Sequence, residues 1–215
     1  RYSLSNHEIF LNQVKAILRA GYYGEVKIML PMITTLSEIE KARDLIELAK
    51  NQLRKRRILF SDKVKIGIMI EVPASAVLSS RLAEFVDFLS IGTNDLVQYT
   101  LAIDRVDDEV NYLYDPFNSA VLTLIRNVIN SGVKHKVDVS LCGEMAGDKQ
   151  FTRLLLGMGL KSFSMHPSAI PEVKKVIVES NIKKLTKLAS EIIKCVDNKE
   201  KQKLIEKIND ESITH

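Results

Sequence analysis

Glycine, proline and cysteine are all scarce in this sequence. Nine glycines and five prolines in 215 residues, beside 46% hydrophobic content, exclude the composition of a disordered chain and allow a sizeable buried core. Two cysteines, Cys142 and Cys195, exclude a disulfide-stapled scaffold and lead to the expectation of a reduced, cytoplasmic setting, since no signal-peptide pattern opens the chain. Long apolar runs are missing too, so no membrane insertion is expected. Charge of one sign is not in excess: 31 basic against 27 acidic residues is too even a mixture for a nucleic-acid surface. The pI of about 8.9 suits small anionic ligands. Internal repeats and low-complexity stretches are absent. The chain lacks a starting methionine and enters a helical pattern by Asn6 to Ala20, so it reads as a piece of something longer.

What is present is an alternation. Apolar, β-rich runs recur at Val26–Leu30, Val64–Ile70, Val86–Ile91, Val137–Leu141 and, more weakly, Ser162–Met165, each followed by a helix-like stretch. That order predicts an α/β fold with a parallel sheet. Continuous runs such as Lys65 to Ile70 suit strands covered on both faces. Helical spacing places Ile39, Ala42, Leu45, Ile46 and Ala49 on one face of Ser37–Arg57, and Val121, Leu122, Ile125, Val128 and Ile129 on one face of Ser119–Ser131, with Ser37 and Ser119 as expected N-caps. From about Glu179 onward lysine, glutamate, asparagine and isoleucine take over, predicting one or two surface helices with a frayed end at Asn209 to Ser212.

Side chains just beyond the carboxyl ends of parallel strands face the ligand in α/β folds, so those positions carry the functional argument. Three runs end in reactive groups: Glu71, the stretch Gly92-Thr93-Asn94-Asp95, and Cys142-Gly143-Glu144. Glu71 and Asp95 form a natural pair for a hard divalent cation. The same residues also suit a strand-end ion pair and a helix N-cap, and the two explanations weigh equally on residue type. Gly92 and Thr93 let backbone approach an anion, with the following helix supplying amide donors. Arg105 offers a fork of donors to phosphate oxygens, or a surface ion pair with Asp104 or Asp107. Cys142 is a proton donor or nucleophile at a strand end, or a buried inert cysteine. Glu144 reads as a helix cap or supporting partner and Cys195 as structural, and the histidines His7, His135, His166 and His215 have no metal-ligand spacing.

Longer stretches carry a resemblance. The segments from Ile68 to Ala74, Asp87 to Arg105 and Cys142 to Asp148, supported by Lys27 to Met32 and by Leu154 to Gly159 with Phe163-Ser164-Met165, resemble the phosphoenolpyruvate-utilising barrel in wording, order and spacing over residues 7–178. Ala102 to Arg105, Met145-Ala146 and Phe163-Ser164-Met165 are most similar to enzyme I of the bacterial sugar phosphotransferase system, phosphoenolpyruvate-protein phosphotransferase. Pyruvate phosphate dikinase and phosphoenolpyruvate synthase are the related alternatives. A ligand-binding or dimerisation module without turnover is another.

The resemblance implies a TIM-type (β/α)8 barrel, of which this chain holds roughly strands 4 to 8 over residues 1–178, followed by a helical tail over 179–215. It further implies that Glu71 and Asp95 bind Mg2+, that Asn94, Asp95 and Arg105 hold the substrate, and that Cys142 is the catalytic proton donor between phosphoenolpyruvate and pyruvate. A homodimer, and a histidine-carrier protein reached through an N-terminal domain outside this sequence, are the implied partners. Phosphate-gripping arginines and a phosphorylated histidine are expected upstream of Arg1, so the piece alone is expected to be inactive. Two departures stand out: Lys27 occupies a common arginine position, and His166-Pro167 replaces small residues.

Overall fold

In the computed structural model, which describes residues 1–210, five strands form one sheet in the order β1-β2-β3-β4-β5. Helices α1 (Tyr2–Ser5) and α2 (His7–Ala20) lead into β1 (Lys27–Leu30), and α3 (Leu36–Lys55) crosses to β2 (Lys65–Ile70). Short α4 (Pro73–Val77) and α5 (Ser79–Leu82) precede β3 (Phe88–Gly92), from which α6 (Thr93–Leu101) and α7 (Ser119–His135) lead to β4 (Asp138–Cys142). After α8 (Glu144–Gly147) and α9 (Lys149–Gly157) comes β5 (Ser162–Phe163), then α10 (Ile170–Val178), α11 (Ile182–Lys194) and α12 (Asn198–Asn209). Every pairing is parallel. A doubly wound sheet reverses its strand order at a switch point, whereas this sheet never does, so it is a wall of a TIM-type barrel.

Side-chain alternation explains the layering. Ile28, Leu30, Ile66, Ile68, Ile70, Leu89, Ile91 and Leu141 are buried on the helix side, and each fully buried one contributes about 1.5–3 kcal/mol by leaving water. The intervening positions line the inner face, where register sets Met69, Ser90, Ser140 and Ser162 side by side. The expected two-sided cover is therefore one-sided over the described residues: helices pack on one face, and Met29 on the other is 42% exposed.

The capping expectations need correction. Thr35, not Ser37, caps α3, because Glu38 folds back and accepts the Thr34 and Thr35 amides at 2.7 and 2.9 Å. Asn118, not Ser119, caps α7 by accepting the Ala120 amide at 3.0 Å, which leaves the Ser119 hydroxyl to donate to the Cys195 carbonyl at 2.8 Å. The helix after β3 begins at Thr93, so Asp95 sits in its first turn and does not cap it. Strand β5 is shorter than the expected Ser162–Met165, although the Ser164 amide continues its ladder to the Leu141 carbonyl at 2.9 Å.

The tail forms two helices, and they are not merely superficial. Leu185, Leu188, Ala189 and Ile192 of α11 and Ile205 and Ile208 of α12 belong to the same apolar core as the barrel helices. Helices α9 and α11 approach closely at Gly157, where an added Cβ would stand 2.5 Å from the Leu185 carbonyl oxygen and 2.8 Å from the Ala189 methyl. The frayed end falls partly on residues 211–215, outside the described residues. Helix propensity favours alanine over glycine by about 1 kcal/mol, yet overpacking costs about 1–3 kcal/mol. We therefore expect Gly157→Ala to lower the urea midpoint, and an unchanged or higher midpoint would show that α11 does not hold this contact.

Candidate active site

The parallel ladder brings the predicted residues to one rim. Gly92 pairs with Cys142 and Ile70 with Ile91, so Glu71, one step beyond Ile70, comes level with Gly92 and Cys142. Glu71 is only 4% exposed and lies across Gly92, where an added Cβ would be 3.0 Å from its Oε2. Its Oε1 accepts the Met32 amide at 2.7 Å, and Met32 adopts a left-handed φ of 55° beyond the end of β1. Burial raises the Glu71 carboxyl above the ordinary carboxylate range, the Met32 amide opposes this, and the neighbouring Asp95 carboxylate adds to the rise. Two carboxylates held together invite a cation.

Asn94 and Arg105 meet on a third side chain. Arg105 Nη1 donates to Glu144 Oε1 at 2.9 Å, and Asn94 Nδ2 donates to the same oxygen at 3.4 Å. In return the Glu144 amide donates to Asn94 Oδ1 at 3.0 Å. Gly143 makes this possible with a φ of 92°, and a side chain there would collide with the Thr93 hydroxyl and the Asn94 amide. Arg105, in the segment after α6, thus pairs with Glu144 at the start of α8; its neighbours Asp104 and Asp107 accept the amides of Val106 and Glu109.

Cys142 projects from the end of β4 over Ser90. Its thiol donates to the Ile91 carbonyl at 3.5 Å, and the Ser90 hydroxyl points at the sulfur from 3.9 Å. Burial lifts the thiol above the ordinary cysteine range, Ser90 opposes the lift, and the Glu71 and Asp95 charges add to it. At neutral pH the sulfur is therefore protonated, as a proton donor must be. Tyr114, which residue types gave no reason to select, also belongs here: its hydroxyl is buried and has no hydrogen-bond partner among the described residues. Burial raises this phenol, as do the charges of Glu144 and Asp95, while Arg105 acts in the opposite sense.

Lys27 lies away from the rim, at the amino end of β1, with its ammonium 5.7 Å from the centre of the Phe88 ring. His135 and His166 hydrogen-bond to Ser80 and Ser168, both at 2.9 Å. Among the described residues, no three His, Cys, Asp or Glu side chains group to hold a metal by themselves. None of the helices formed by those residues is long and apolar enough to cross a membrane.

Comparison with known proteins gives the family. The family described as "PEP-utilising enzyme, PEP-binding domain" matches residues 1–182. The chain belongs to this family. Among its PEP-utilising relatives, the phosphoenolpyruvate-protein phosphotransferase of Cupriavidus necator is 46% identical over 200 residues, covering 93% of this chain and 34% of that protein. The protein of the same name from Listeria monocytogenes is 44% identical over 207 residues, 96% of this chain and 36% of that protein. A Mycoplasma capricolum protein of that name is 39% identical over 206 residues, with coverages of 96% and 36%. The chain therefore spans about a third of the length of these relatives. A citrate lyase structure from Burkholderia xenovorans shares the fold, with a TM-score of 0.56 at 17% identity over 85% of this chain and 58% of that one.

Two outcomes follow for this strand-end rim. An acid whose folded pKa is raised favours folding most when protonated, and that contribution is lost as pH rises from the unfolded value through the folded one. Glu71→Gln keeps an oxygen acceptor for Met32 and removes the charge beside Asp95, so its melting temperature at pH 7 to 8 should equal or exceed wild type; a clear drop would contradict the repulsion. Alkylation of Cys142 by iodoacetamide should be slow at neutral pH and accelerate with a midpoint above the ordinary cysteine value, and Ser90→Ala should move that midpoint higher still.

Proposed function

We propose that this chain is the phosphoenolpyruvate-binding part of a phosphoenolpyruvate-protein phosphotransferase, which passes a phosphoryl group from phosphoenolpyruvate to its own histidine and on to a histidine-carrier protein. The observation that carries this is the convergence of Glu71, Asn94, Asp95, Arg105 and Cys142 on one strand-end rim, with the two acids side by side and the thiol set between Ser90 and the Ile91 carbonyl. Relatives bearing the phosphotransferase name, at up to 46% identity over nearly the whole chain, support the same assignment.

Glu71 and Asp95 are the residues that would hold magnesium. Two carboxylates without further protein ligands match an ion that keeps waters and completes its shell with substrate oxygens. When bound, magnesium neutralises charge on the departing phosphoryl group. Arg105 and Asn94 orient phosphoryl oxygens through donors that strengthen as charge shifts toward them. Cleavage of the bond between phosphorus and the bridging oxygen leaves the enolate of pyruvate, and the Cys142 thiol gives its proton to the enolate carbon. Pyruvate results, and the thiolate regains a proton from water. Ser90, aimed at the sulfur, eases the transient thiolate. In the reverse direction that thiolate is the base.

The acceptor histidine, further phosphate-binding arginines and the strands that would complete the wall are assigned to other parts of the polypeptide. Residues 1–178 then act as the barrel portion and 179–215 as a helical extension, in a homodimer of the cytoplasm. The close of the family match at residue 182 supports that division.

Steady-state assays on the full polypeptide with a histidine-carrier protein test the proposal. Cys142→Ala should slow magnesium-dependent pyruvate formation by about 10²–10⁴, and Arg105→Ala should lower kcat/KM by about 10²–10³. Wild-type rates in both variants would overturn it.

A further inference from the structure

Glu144 occupies an unusual place for an exposed acid. One oxygen, Oε1, accepts from both groups assigned to the substrate's phosphoryl oxygens: Arg105 Nη1 at 2.9 Å and Asn94 Nδ2 at 3.4 Å. The Glu144 amide simultaneously donates to Asn94 Oδ1 at 3.0 Å. That amide contact fixes which way the Asn94 side chain faces, leaving its NH2 group turned toward the rim as a donor. Gly143, at a φ of 92° and with no room for a Cβ beside Thr93 and Asn94, holds the Glu144 backbone where it can make the contact.

We propose that Glu144 is a positioning residue of the anion site: its amide sets Asn94, and its carboxylate stands in for phosphoryl oxygens on Asn94 and Arg105 until phosphoenolpyruvate displaces it. This rests on the function proposed above. The burial of the pair fits a replaceable contact. Glu144 is 71% exposed and Arg105 39% exposed along their side chains; ion pairs in such settings are worth about 0–1 kcal/mol. A dianionic phosphoryl group offers Arg105 more charge than a single carboxylate and can take both donors at once. Arg105 is also tethered by its own amide, which donates to Gln98 Oε1 at 3.2 Å, so the guanidinium stays beside the rim when Glu144 lets go. The carboxylate thus keeps the donors ordered and shielded, and it competes with the ligand that replaces it.

The decisive variant is Glu144→Gln, which retains the amide contact to Asn94 and a carbonyl oxygen for Arg105 but removes the competing charge. Calorimetric titration with phosphoenolpyruvate in magnesium buffer of the full polypeptide, its acceptor histidine replaced by alanine so that the ligand is not consumed, should give a Kd about two- to fivefold lower with Glu144→Gln than without it, the range set by a surface ion pair. KM for phosphoenolpyruvate should fall in parallel with kcat unchanged. In an Arg105→Ala background Kd should be higher for both forms and KM should no longer separate from kcat, because only the Asn94 contact is left for the carboxylate to occupy. Equal or weaker binding by Glu144→Gln overturns the stand-in role while leaving the function intact. No binding of phosphoenolpyruvate by wild type overturns both. A Glu144 that served only to brace the loop would raise KM or lower kcat on substitution, the opposite of the expected split.

Discussion

A parallel sheet wound in one direction delivers the last residue of every strand to the same rim, and everything else in this molecule depends on that constraint. Parallel crossovers of one hand pack helices against one face of the sheet among the described residues. The strands then bury Ile68, Ile70, Leu89, Ile91 and Leu141 toward the helices and leave the alternate positions facing inward. Because Gly92 lies opposite Cys142 and level with Glu71, a carboxylate and a thiol from distant parts of the chain become neighbours. Gly92 itself contributes by having no side chain, since Glu71 fills the space a Cβ would need.

The rim is costly to assemble. Glu71 is desolvated beside another acid, Cys142 is desolvated beside both, and the Tyr114 hydroxyl is buried with no partner among the described residues. Each arrangement works against stability, and each is a property that binding and proton transfer can use. The compensation lies below the rim, in the apolar layer between sheet and helices. It extends into the tail, where α11 buries Leu185, Leu188, Ala189 and Ile192 against α9. Lysine-rich composition marked that tail as superficial, yet the amphipathic spacing within it serves the common core.

Much of this was legible in the sequence. Apolar, β-rich runs located the five strands, the fifth only weakly, and the residues following three of the runs, Glu71, Asn94 with Asp95, and Cys142, are the ones gathered on the rim. Local chemistry was less legible. Thr35 outcompetes Ser37 because Glu38 reaches back to it, and Ser119 is freed for Cys195 because Asn118 caps the helix. Neighbouring serines and threonines are nearly equivalent as caps by type, and small differences in backbone path choose between them.

By itself, then, the sequence determined the α/β order, the strand ends and the identity of the reactive groups, because periodicity and chain order are local properties. Only the tertiary structure decided which groups meet: Arg105 with Glu144 instead of its sequence neighbours, Ser90 beneath Cys142, Tyr114 among the charges, and Met32 on Glu71. The reason is geometric. Partners on different strands are chosen by register across the sheet and by the loop conformations at Met32 and Gly143, and neither leaves a periodic mark along the chain.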